Sequence, residues 1–256
     1  MLKDLFFNLK LTCNACGREI FDGYFCSDCT EKMELNTKYC VKCGRSVLND
    51  AGVCSYCYGN KVYFDKARSV YSYKEPVSFL IKSLKFNGKK YLAEIFGEIL
   101  SPYLIRDFGD ADVVTCVPMH KKDLKKRGYN QTELIARKIA NTTGYSFGVL
   151  VEKFKRTKKQ IKLSKKERLV NLKSAFKVID KKKVFNKRIL VIDDVMTTGA
   201  TAEAISEKLI NAGAEKVYFL TVASVGEKEL KKDRKVSFFA KIFKKKCLHM
   251  NEISVK

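Results

Sequence analysis

Eight of the ten cysteines lie between Cys13 and Cys57, as four Cys-x2-Cys pairs: Cys13 with Cys16, Cys26 with Cys29, Cys40 with Cys43, and Cys54 with Cys57. Such a turn sets two thiolates on one side of a tight knuckle. Two facing knuckles make a tetrahedral four-sulfur shell, the geometry zinc accepts. Gly17 and Gly44 each follow the second cysteine of a knuckle, where a positive φ lets backbone N–H groups turn toward sulfur. The spacing predicts two structural Zn2+ sites, one per consecutive quartet. An iron–sulfur cluster or a redox pair is the competing chemistry, and interleaved pairing of the knuckles competes with sequential pairing. A closed four-thiolate site leaves no position for a substrate.

A second constellation starts at Val191-IDDVMTTGATAEA. An apolar run leads into Asp193 and Asp194, then Val195, Met196, Thr197, Thr198, Gly199, Ala200 and Thr201, then a helical pattern. The amides from Val195 to Thr201 converge on an anion where the helix begins, and the helix end adds partial positive charge. Three threonines offer hydroxyl donors, and Gly199 lets the backbone approach a phosphate. The two aspartates sit at the carboxyl end of the strand, where acids grip sugar hydroxyls and a hard cation. An ordinary Asp-rich turn with a threonine cap is the bland alternative. A lone Thr-Thr-Gly would fit it, whereas the full strand–acids–loop–helix order points to phosphate.

The elements that carry these residues follow from periodicity. Leu2, Leu5, Phe6 and Leu9 fall on one face of a short helix. Strands are predicted at Ala67–Tyr73, Asp112–Val117, Phe147–Val151, Arg188–Asp193 and Val217–Val225. Helices are predicted at Val77–Phe86, Tyr91–Leu104, Asn130–Ala140 and Ala202–Ala212, the last two stopped by Gly144 and Gly213. Segment 153–175 reads as a loop plus a short helix. Strands alternating with helices at this spacing imply an α/β fold with a parallel sheet covered on both faces. The expected organisation is a zinc-binding unit at 10–60, an α/β domain at 61–225 and a basic tail at 226–256. The zinc unit has too few aliphatic groups to fold without metal.

The chain has 51 basic and 28 acidic residues, a net charge of +23. The excess is local: residues 153–188 hold 16 basic and 2 acidic side chains, and 226–256 hold 10 and 4. Of the 51, 41 are lysine, which also fits an AT-rich coding bias. The functional alternative is attraction to polyanions. No uncharged apolar stretch is long enough to span a membrane. Asp4 and Lys10 interrupt the N-terminal apolar positions, so this end does not read as a secretory signal. The expected location is the cytoplasm, where thiolate metal sites are favoured over disulfides. Cys116 reads as a buried strand residue and Cys247 as an exposed tail thiol. No Ser-His-Asp order, HExxH, GxGxxG or Walker loop is present.

Asp193-DVMTTGAT resembles the PRPP-binding loop of type I phosphoribosyltransferases. Val117-PMHKKDLKKRGYNQTELIA is similar to the ComF competence family within that superfamily, as are Leu84-KFNGKKYLA, Gln160-IKLSKKERLVN, Ala175-Phe176 and the double cysteine quartet. The resemblance covers roughly residues 10–225 and implies a Rossmann-like parallel sheet with a small N-terminal double zinc ribbon. It implies that Asp193 and Asp194 bind the PRPP ribose and that the loop at 195–201 holds the 5-phosphate. It also puts Pro118 and its neighbours beside pyrophosphate, with Arg127, Asn130 and Gln131 near the ligand and Mg2+ accompanying PRPP. Segment 153–170 stands where a mobile loop closes over such sites. For Asn130, helix capping competes with ligand contact, and for His120, at the same mouth, a solvated loop position competes. The implied roles are transfer or binding of a 5-phosphoribosyl group and DNA uptake. A single-stranded-DNA module with a regulatory PRPP site is the alternative, and a scaffold for a helicase or recombination partner is a third reading. The acceptor is not legible.

Overall fold

The computed structural model describes residues 11–47, 52–59, 62–156, 172 and 174–226. The helical face at Leu2–Leu9, the core of the basic segment and the tail with Cys247 lie outside them.

Four parallel strands form the central sheet: β3 (Lys66–Ser72), β4 (Val113–Cys116), β7 (Arg188–Met196) and β8 (Lys216–Ser224), in the order β3-β8-β7-β4. Their near-continuous apolar runs follow from burial on both faces. Alternate side chains divide between two cores: Leu190 and Ile192 pack with the helices α2 (Val77–Phe86), α3 (Leu92–Phe108) and α5 (Gln131–Thr143). Ile189 and Val191 pack with α6 (Ala200–Asn211), which joins β7 to β8. The four helices expected between residues 77 and 212 are present, with ends shifted by a few residues.

Two elements differ from expectation. The strand foreseen at 147–151 reduces to one parallel bridge between Phe147 and Val114. The chain then forms a separate antiparallel hairpin, β5 (Val151–Lys153) with β6 (Phe176–Val178). The basic segment starts out from this hairpin. A short helix, α4 (Lys121–Arg127), follows β4 where a loop was foreseen. It buries no residue, so it has no apolar stripe for periodicity to detect.

The bridge at Phe147 matters for function. From β4 the chain passes through α5 to the outer edge of the sheet, then returns to β7 on the other side of β4. The carboxyl ends of β4 and β7 therefore flank a topological switch point, the place where open α/β sheets bind ligands.

The cysteine quartets repeat one knuckle. In the first, Cys13 N–H donates to Arg18 O and Gly17 N–H to Cys13 O; in the second, Cys40 N–H donates to Arg45 O and Gly44 N–H to Cys40 O. Both glycines have positive φ, +78° and +64°. The first quartet is framed by the hairpin β1 (Leu11–Thr12) with β2 (Glu19–Ile20) and by α1 (Ser27–Lys32). It rests on α3, where Tyr24 Oη donates to Glu98. The link between quartets extends the sheet edge: Asn36 N–H donates to Val70 O and Ser72 N–H to Glu34 O. The second quartet is part of the sheet's own core on the α6 side. A Cβ on Gly44 would lie 2.6 Å from both Ala67 O and Arg68 Cα, so the ribbon meets β3 at backbone contact.

Candidate functional site

In each quartet, Cys13/16/26/29 and Cys40/43/54/57, the four sulfurs lie within 4.8 Å of one another, which settles sequential pairing. Cross-knuckle sulfurs are 3.8 Å apart for Cys16 and Cys26, and 3.6 Å for Cys43 and Cys54. Zinc–sulfur bonds of about 2.3 Å in a tetrahedron require about 3.8 Å between sulfurs, so the donor sets fit Zn2+. The thiols respond to their crowding. Burial opposes ionisation of Cys13, but backbone N–H groups pull it down to about 6. Burial and then neighbouring thiols push Cys29 up to about 12. In the second quartet Cys40 is driven down by hydrogen bonds from the other three thiols, and Cys57 is driven up by them. Four thiolates need a cation to coexist.

At the switch point, β7 delivers the paired acids. Asp193 Oδ1 accepts the Asp194 N–H at 2.8 Å. Burial, and next the charge of Asp194, push the Asp193 carboxyl up to about 8, while Lys85 and Lys153 act in the opposite sense. Asp194 is 5% exposed and fully engaged. Its Oδ1 meets Lys85 Nζ at 2.7 Å, and its Oδ2 accepts Gln131 Nε2 at 2.6 Å. Gln131 Oε1 in turn accepts from Arg127 Nη1, and the Arg127 guanidinium lies 5.2 Å from the centre of the Phe86 ring. One polar chain thus links α2, β7, α5 and α4. It borders a cavity of about 470 Å3 whose lining includes Lys85, Phe86, Lys126, Arg127, Tyr129 and Arg156.

Beyond the acids, Val195 and Met196 continue β7 in register with Ala223 and Ser224 of β8. Thr197–Gly199 forms the turn between β7 and α6. Thr197 and Thr198 are exposed, and Gly199 caps α6 at φ +81°. Ala200 N–H reaches Thr198 Oγ1 at 3.4 Å, and Thr201 lies in the first helical turn.

On the β4 side, Val117 N–H donates to Ile192 O at 3.0 Å, which sets Pro118 beside the end of β7. Asn130 is the N-cap of α5. Its Oδ1 accepts from Thr132 N–H, and its Nδ2 donates to Val117 O at 3.1 Å. Its side chain caps the helix and, through Val117, holds the strand-end turn. His120 is likewise a cap, its Nδ1 accepting from Lys122 N–H at 3.2 Å. Cys116 is buried, and burial pushes its thiol up to about 12. Arg156 ties the start of the basic segment to α4 through Asp123 at 2.7 Å.

Lys85, Lys153 and Arg45 were not singled out from sequence. Lys85 lies within the ComF-like Leu84-KFNGKKYLA stretch, which was the available signal. Arg45 carries no signal, because its partner is a backbone carbonyl, Thr197 O, 152 residues away.

Comparison with known proteins agrees with this geometry. The Phosphoribosyl transferase domain family matches residues 124–250, and the Double zinc ribbon domain family matches residues 2–58. Competence protein F of Haemophilus influenzae is 29% identical over 221 residues, covering 83% of this chain and 95% of that protein. The chain is similar to the ComF competence proteins. Other similar proteins are DNA utilization protein YhgH of Salmonella typhimurium, 27% identical over 75% of this chain and 86% of that one, and Competence protein ComFC of Streptococcus pneumoniae, 27% identical over 77% and 86%. The chain thus joins a phosphoribosyltransferase fold to a double zinc ribbon. Among the described residues no helix is long and apolar enough to cross a membrane.

Proposed function

We propose that this chain binds PRPP at the β4–β7 switch point and uses it either to transfer a 5-phosphoribosyl group or as a signal in DNA uptake. One observation carries the reading: two acids near the end of β7 are followed, after Val195 and Met196, by a turn with two exposed threonines whose glycine caps a 12-residue helix. The turn and helix end would hold the 5-phosphate through backbone N–H groups and threonine hydroxyls. Asp193 would accept the ribose hydroxyls. Asp194 is committed to Lys85 and Gln131 and would position Asp193 and the mouth. Lys85, Arg127 and Arg156 would meet pyrophosphate. Mg2+ bound with PRPP would offset the pyrophosphate charge and make it a better leaving group. In a transfer, the bond from C1 to pyrophosphate breaks and an acceptor takes C1. The names of the curated relatives support the competence role, and the thiolate quartets support a reducing, cytoplasmic setting. Thermal unfolding tests the reading. PRPP with Mg2+ at 100 times its Kd adds about 2.7 kcal/mol, a rise in Tm of about 5–10 °C. No shift at any concentration would count against it.

A second reading, single-stranded-DNA binding with a regulatory PRPP site, is favoured by a groove between the β5–β6 hairpin and the end of α6. Its volume is about 560 Å3, and Phe154, Lys155, Phe176, Lys177, Lys181 and Lys208 help line it. Phe154 is 44% exposed, with Lys155 and Lys177 over its ring. An exposed ring among cations suits base stacking beside a phosphate backbone. Lys155→Ala with Lys181→Ala should lower the salt slope of single-strand binding by about 1.4, from about 0.7 per phosphate contact. An unchanged slope and affinity would remove this support.

A further inference from the structure

The two quartets supply their own comparison. Arg18 and Arg45 occupy equivalent positions, each accepting through its carbonyl the N–H of the first cysteine of its quartet. The Arg18 side chain is 62% exposed and pairs with Asp28 on the surface. Arg45 is 2% exposed and leaves its ribbon altogether: its Nη2 donates to Thr197 O at 2.6 Å. Its guanidinium lies 5.8 Å from the centre of the Tyr56 ring, between Cys54 and Cys57, so both knuckles of the second quartet hold it. Its Nε is buried with no hydrogen-bond partner among the described residues. A buried guanidinium is costly without an opposing charge. Here the adjacent quartet, four thiolates around one zinc, would supply one.

We infer that Arg45 is the positioning residue of the phosphate loop, and that the second metal quartet is a structural part of the PRPP site. This rests on the PRPP reading above and adds to it. In a trans peptide the C=O and the following N–H point in opposite directions. Fixing the Thr197 carbonyl on Arg45 therefore turns the Thr198 N–H away from the ribbon, toward the side where the 5-phosphate would sit. An intact second quartet thereby sets the loop's affinity for phosphate, and by reciprocity a bound phosphate ester strengthens metal retention in that quartet.

The test compares wild type with Arg45→Gln in calorimetry, metal analysis and hydrogen exchange. The variant should keep two zinc equivalents and bind ribose 5-phosphate and PRPP about 10- to 100-fold more weakly, the loss expected for a hydrogen bond from a charged donor. Its affinity for pyrophosphate alone, which does not touch this loop, should be unchanged, and residues 197–201 should exchange faster. A zinc-loaded variant that binds ribose 5-phosphate as wild type does would overturn the inference. Should Arg45→Gln not fold, equilibrium competition of wild-type protein with a chelator decides instead. PRPP should tighten retention of one zinc of the two, and equal retention with and without PRPP would overturn it. Wild type that ignores PRPP altogether would instead overturn the binding reading itself.

Discussion

Replacing both Asp193 and Asp194 by Asn is expected to abolish PRPP binding while leaving both metal sites loaded. Each carboxylate lost from a ligand-bound network removes about 1.5–3 kcal/mol of charge-assisted hydrogen bonding, so the pair accounts for a loss on the order of 100-fold or more. The two positions differ in what else they cost. Among the described residues Asp193 accepts one hydrogen bond, from the neighbouring Asp194 N–H, and Asp193→Asn should leave stability close to wild type. Asp194 answers Lys85, whose side chain is 22% exposed against 7% for the acid. Removing one member of such a pair strands the other charge, and the cost is about 3 kcal/mol, the low end for buried pairs because Lys85 retains some water. Lys85→Met in the Asp194→Asn background should restore part of that stability without restoring binding. Calorimetry with urea unfolding separates the two effects. A double variant that binds PRPP normally would remove the acids from the site.

Loss of metal from the second quartet is expected to unfold most of the molecule, and loss from the first to do so only locally. The reason is placement. Cys40, Cys43, Cys54 and Cys57 belong to the same core as Val191, Phe219 and Ile205, whereas Cys13, Cys26 and Cys29 form a small cluster of their own and Cys16 is exposed. A structural zinc contributes about 10–16 kcal/mol of apparent binding energy, comparable with the whole stability of a domain. Cys43→Ser should therefore lower Tm by tens of degrees, on the order of 2–4 °C for each kcal/mol lost. Cys16→Ser should cost far less. Metal analysis of wild type should give two zinc equivalents per chain. Equal melting of the two variants would contradict the division of the core described above.

What the sequence made legible was whatever repeats or alternates. The quartets declare themselves by spacing, because metal geometry dictates the intervals. β7 and β8 declare themselves as apolar runs because both faces are covered, and the loop after Asp194 because acids, threonines and glycine stand in one stretch. Three things were not legible, each for a physical reason. α4 packs no apolar face, so it has no period. The edge at Phe147 was expected as a strand over 147–151, but its pairing with β4 is a single residue pair, and an apolar run does not tell how far pairing extends. The engagement of Asp194 by Lys85 and Gln131, and of Thr197 by Arg45, joins residues 63 to 152 positions apart. Only folding brings them together, and in Arg45 the acceptor is backbone, which no side-chain pattern records. Asn130, for which capping and ligand contact were both open, caps a helix through its side chain, as does His120.

The central claim is that the end of β7 and the start of α6 grip a phosphorylated pentose. It is tested most directly by isothermal calorimetry of the wild-type chain against PRPP with Mg2+, with ribose 5-phosphate and inorganic phosphate as comparators. The account predicts saturable binding of one PRPP per chain, weaker binding of ribose 5-phosphate, and no PRPP binding by the Asp193→Asn, Asp194→Asn protein. Zinc-loaded wild type that gives no heat and no competition with PRPP at millimolar concentration would contradict it.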